Sequence, residues 1–140
     1  MRPVGFCIVL VGLFALCSCE ENEKVKEEVY LWNTINVTAT AYNSLSAQTD
    51  RTPNIAAWGD TLSPGMKCIA VSRDLIALGL KHNTMIKLDT FPGIYLVKDK
   101  MHRRWKKRID IYMGINKGAA KQWGKRKLTL QYAVKKDSVQ

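Results

Sequence analysis

The 140 residues carry 22 lysines and arginines against 12 aspartates and glutamates, for a net charge of +10, and 46% of them are hydrophobic. That balance excludes a disordered polyelectrolyte and a string of several domains, and it suits one small globular unit with a single core. A disulfide framework is excluded as well, because three of the four cysteines fall within the first 19 residues and Cys68 stands alone beyond them.

The first predicted element is a signal segment. Residues 1–19, MRPVGFCIVLVGLFALCSC, place Arg2 ahead of an apolar run from Val4 to Leu16. The run is shorter than the roughly 20 residues that cross a bilayer, so it reads as the core of a secretory signal peptide. Its end, Leu16-Cys17-Ser18-Cys19, resembles a bacterial lipobox, with leucine three positions and a small residue one position before the cysteine to be lipidated. Residues 1–18 are thus the expected lipoprotein signal and Cys19 the expected acylated residue, with the membrane a partner through that lipid anchor. Glu20, Glu21, Glu23, Glu27 and Glu28 follow, and the chain has no other glutamate. Residues 19–34 therefore read as an acidic tether, either a solvated linker or, by resemblance, the export signal of surface-exposed bacterial lipoproteins. The expected location is a bacterial cell envelope, on the periplasmic or the surface side of an outer membrane.

From residue 35 to 140 the pattern is mainly β. Stretches rich in β-branched and aromatic residues predict strands at 35–42, 67–71, 84–88, 94–98, 108–113 and 128–134. Six strands in about 100 residues imply a small closed barrel. The stretch TPNIAAWGDTLSPG at 52–65, with two prolines and two glycines, reads as a long ordered loop. Residues 73–78 suit a short helical turn ended by Gly79, and a second helix follows, capped by Asn116 and closed by Gly124. Ala119, Ala120 and Trp123 fall at helical spacing, so Trp123 is core. Cys68, within MKCIAV, reads as a small buried apolar residue. The sequon Asn36-Val37-Thr38 is read as chance.

Beyond the tether the carboxylates are Asp50, Asp60, Asp74, Asp89, Asp99, Asp110 and Asp137, and any general acid comes from this set. His82 and His102 read as solvated loop residues, no cluster has metal-ligand spacing, and neither a metal nor a cofactor is expected. The segment VKDKMHRRWKKRIDIYMG at 97–114 has six lysines and arginines between Asp99 and Asp110. It is either a basic patch for a polyanion or an acid site whose loop grips a substrate. Alternation groups Tyr95 with Val97 and Asp99, and Arg108 with Asp110 and Tyr112, so both acids border a groove beside tyrosines. The plainer alternative pairs Asp110 with Arg108 on a solvated face. An exported protein rarely meets nucleic acid, which is therefore not an expected partner.

Four segments, TATAYN at 38–43, AVSRDLIALG at 70–79, VKDKMHRRWKKR at 97–108 and RIDIYMG at 108–114, together resemble the three-aspartate or 3D domains related to membrane-bound lytic transglycosylase A. The interval from Asp99 to Asp110 matches that of the family's second and third aspartates. WGKRKLTLQYAV looks like its last helix end and strand. The resemblance implies a six-stranded double-psi β-barrel with one or two short helices. It also implies cleavage of peptidoglycan glycan strands without water, giving a 1,6-anhydro product, in which one carboxyl serves as both acid and base.

By position the resemblance implies Asp99 as the acid/base and Asp110 as the partner that keeps it protonated. Ser72 stands where the family has its first aspartate, and Asp74, two residues on, is the candidate substitute. Thr40, Tyr42, Ser72 and Tyr112 would contact sugar, while Arg104 and Trp105 replace the family's glycine-rich loop and would hold carboxylates and stack on a ring. A monomer is expected. The alternative is a peptidoglycan-binding module that kept the barrel without turnover.

Overall fold

The computed structural model describes residues 28–44 and 54–136. The predicted signal and Cys19 lie outside them, as does most of the predicted tether. Six strands close into a barrel in the order β1-β5-β2-β4-β3-β6. They are β1 (Tyr30–Tyr42), β2 (Cys68–Val71), β3 (Met85–Leu88), β4 (Phe91–Lys100), β5 (Arg108–Tyr112) and β6 (Arg126–Lys135). Two helices join them, α1 (Arg73–Ala77) and α2 (Lys117–Trp123). β1 and β5 run parallel, as do β2 and β4, and the remaining neighbours are antiparallel. This is the mainly β, closed six-stranded barrel with two short helices expected from the sequence.

Alternation builds the core. Val37, Ala39, Ile69, Val71, Val97, Ile109, Ile111 and Leu130 are buried and form one cluster inside the barrel. Trp123 belongs to it, delivered by α2, whose Asn116 cap accepts the Ala119 amide at 2.9 Å as the sequence predicts. A smaller cluster of Ala56, Leu62, Cys68 and Tyr112 lies on the outer side of β2 and β5, with Tyr42 and Met66 against it. Residues 54–66 form its cover, a strap closed on itself by an Ile55–Thr61 bridge.

Two features depart from the periodic reading. β1 begins at Tyr30 rather than residue 35, so the last residues of the predicted tether belong to the barrel. They gave no periodic signal because their stabilisation is the ladder with β6 rather than burial on one face. The second departure is a bulge. Ile69 pairs with Val97 but Ala70 pairs with Asp99, so an extra residue stands in β4 between Val97 and Asp99. Alternation would have sent Asp99 inward with Tyr95 and Val97. The bulge turns it to the outer face with Ala70.

Candidate functional site

One row across four strands holds the candidate chemistry. Thr40 on β1 pairs with Asp110 on β5, Asp110 with Ala70 on β2, and Ala70 with Asp99 on β4. Cross-strand partners face the same side, so the two aspartates flank Ala70 with backbones roughly 10 Å apart, two strand spacings. Ala70, itself buried, contributes only a methyl group between them. The next row supplies Tyr42 and Tyr112, whose rings meet at 5.4 Å between centroids.

Asp110 is the protected carboxyl. Its Oδ1 accepts the Thr40 hydroxyl at 2.8 Å, and no ion pair joins it to Arg108 among the described residues. Burial raises its pKa; the Thr40 hydroxyl and the Arg108 charge pull it down, and the charge of Asp99 pushes it up. Asp99 is placed differently. Its Oδ1 accepts two backbone amides, Ala57 from the strap at 2.7 Å and its neighbour Lys100 at 2.8 Å. Of the two, Asp110 is the carboxyl whose surroundings favour the protonated form, and Asp99 is the one fixed as an acceptor.

Tyr42 sits between the acids. Burial above all, then Asp99 and more weakly Cys68 and Asp110, push its hydroxyl pKa up, and its Oη is buried without a hydrogen-bond partner. The Tyr112 hydroxyl bonds the Ser44 hydroxyl at 2.7 Å. Burial, and then Asp99, push the Cys68 thiol up to about 12, so it stays protonated and serves as packing.

The remaining sequence candidates are not gathered into this row. Ser72 is fully buried, and its Oγ accepts the Arg108 amide at 3.0 Å. Asp74 Oδ2 accepts the Lys107 amide at 2.8 Å. Burial pushes its pKa up, and its bonds from Ser72 and Lys107 outweigh that to leave it lowered. Both residues clamp the entry to β5, where Lys107 adopts φ 45°. Trp105 is not an open sugar platform, since the guanidinium carbons of Arg108 and Arg104 lie 3.9 and 4.7 Å from its ring centroid.

A cluster the sequence reading did not anticipate anchors the strap. Asp60 takes the Lys98 ammonium at 2.8 Å and the His82 ring on its other oxygen. Lys98 holds the Asp60 pKa down in spite of burial, with His82 adding to it. His82 also stacks on Trp58 at 5.2 Å, and the Lys100 ammonium lies 4.8 Å from the same ring. His82 is thus an exposed loop residue, as expected, that also has partners. The available signal was Trp58-Gly59-Asp60, the one aromatic and the one acid in an otherwise uncharged loop.

Among the described residues no group of three or more His, Cys, Asp and Glu side chains is placed to hold a metal ion, and no helix is long and apolar enough to cross a membrane. No known family model and no curated protein matches the chain.

Proposed function

We propose that this domain is a peptidoglycan lytic transglycosylase in which Asp110 is the general acid and base. The observation that carries the reading is the row Thr40, Asp110, Ala70, Asp99: a half-buried carboxyl with a raised pKa opposite a second carboxylate, with an alanine between them. Asp110 would give its proton to the glycosidic oxygen after an N-acetylmuramic acid unit as the C1–O bond breaks. The Asp99 charge would stabilise the oxocarbenium-like transition state. The C6 hydroxyl of the same sugar would then bond to C1 while its proton passes to the Asp110 carboxylate, restoring the acid and closing the 1,6-anhydro ring. No water is consumed. The resemblance to 3D domains supports the same chemistry.

The exposed loop bases Arg103, Arg104 and Lys106 would hold the stem-peptide carboxylates of the glycan. The lipobox-like end of the leader supports a protein tethered through Cys19 in the cell envelope, acting as a monomer on the wall beside its membrane. A non-catalytic wall-binding module is the second reading, favoured by Ser72, which is buried as a structural hydroxyl where the family carries a carboxylate.

Incubating the domain with sacculi and analysing the products by mass spectrometry decides between them. Anhydromuropeptides that vanish in Asp110→Asn support the enzyme. Sacculus binding with no such product from wild type supports the module.

A further inference from the structure

Arg108 is the one arginine that shares the outer strand face with Asp110, two residues away on β5. Its backbone is fixed at both polar groups, because its amide donates to Ser72 Oγ at 3.0 Å and its carbonyl accepts the Ser72 amide at 2.9 Å. Its guanidinium is fixed as well, against the Trp105 ring at 3.9 Å. Yet that guanidinium makes no ion pair among the described residues, and its Nε is buried with no hydrogen-bond partner. An oriented guanidinium with no acidic partner among the described residues is matched by a planar anion that offers two oxygens. Asp110 does not serve, since it is turned to Thr40.

We propose that Arg108 is a carboxylate anchor that selects a sugar bearing an acidic substituent next to the scissile bond. The inference rests on the glycan-cleaving reading and adds the feature of the substrate that is read. A sugar with its glycosidic oxygen at Asp110 would extend a ring substituent toward the neighbouring position on β5, where the guanidinium waits. The two Nη groups would take the two carboxylate oxygens, and Trp105 would hold the plane of the guanidinium while Nε stays buried. Lysine could supply the charge at this position but not the paired geometry. The exposed loop bases lack this definition: Arg104 lies on the solvent side of the loop, over the same ring.

The test compares N-acetylmuramic acid with N-acetylglucosamine, which has the same ring without the lactyl carboxylate. With arginine side chains labelled for NMR, N-acetylmuramic acid is expected to shift the Arg108 Nε–H and Trp105 indole signals. N-acetylglucosamine should leave the Arg108 signal in place. Arg108→Gln should weaken binding of the acid sugar about tenfold or more without affecting the neutral one, and Arg108→Lys should recover only part of the loss. Spectra of each variant free of sugar establish that the barrel is intact. Equal responses to the two sugars, no response to the acid sugar, or unchanged acid-sugar binding in Arg108→Gln would each overturn the anchor. Selective binding without any anhydro product from sacculi would instead retain the anchor and remove the transglycosylase reading.

Discussion

Under the proposed chemistry, Asp110 has opposite consequences for activity and for stability. Its folded pKa is raised above the ordinary 3.8, so its protonated form favours the fold at pH below that value, and this contribution is lost as pH rises through the folded pKa. Asp110→Asn keeps an oxygen for the Thr40 hydroxyl but carries no charge to bury. The variant is expected to lose about 10²- to 10⁴-fold in turnover while melting at a higher temperature than wild type at neutral pH, an advantage that fades toward about pH 3. Thermal melts across that range check it, and a lower melting point at neutral pH would contradict it. Thr40 acts on the same group from the other side, because its hydroxyl stabilises the carboxylate form. Thr40→Val should move the alkaline limb of the pH–activity profile to higher pH, since a general acid works while it is protonated. A limb that stays in place would show that Asp110 does not donate the proton.

The strap and the bulge decide how Asp99 is presented. Asp60 ties the strap to Lys98 on β4 and to His82, and the strap then delivers the Ala57 amide to Asp99. Asp60→Asn should weaken both ties. Hydrogen exchange at the Ala57 amide is expected to accelerate about tenfold or more while Ile111, deep in β5, exchanges as before. Unaltered protection at Ala57 would mean that the strap holds without Asp60. The sequence showed the strands through Val37, Ala39, Ile109 and Ile111, whose burial alternates, and it showed α2 through its Asn116 cap. The bulge escaped because neither Val97 nor Lys98 marks one, and a shift of a single residue reverses every face beyond it. The pairing of Asp60 with His82 and Lys98 escaped for a different reason: it joins three segments by side chains alone, and no periodicity encodes such a meeting. Asp99 and Asp110 were legible as a pair through their interval and flanking strands. Their different surroundings were not, because burial and amide donors belong to the folded chain.

Over the whole molecule, charge and topology would set how the domain meets the proposed glycan. With a net charge of +10, attraction to an acidic wall polymer acts over a Debye length of about 8–10 Å in moderate salt. Retention on sacculi should fall as salt is raised, and replacing Arg103, Arg104 and Lys106 together with glutamine should weaken retention and flatten that dependence. Equal salt curves for the variant and wild type would assign the attraction elsewhere. The long first strand has a mechanical consequence. From Tyr30 it is zipped to β6 through ten residue pairs, and toward Tyr42 it is also joined to β5 through five. A pull along β1 between residue 28 and a glycan gripped at residue 110 loads those rungs in shear, so they must fail together. A pull between residues 28 and 136, at the shared end where Tyr30 faces Lys135, peels them one at a time. Single-molecule stretching should therefore find the barrel strong in the first direction and weak in the second, a direction-dependent toughness built into the ladder of β1.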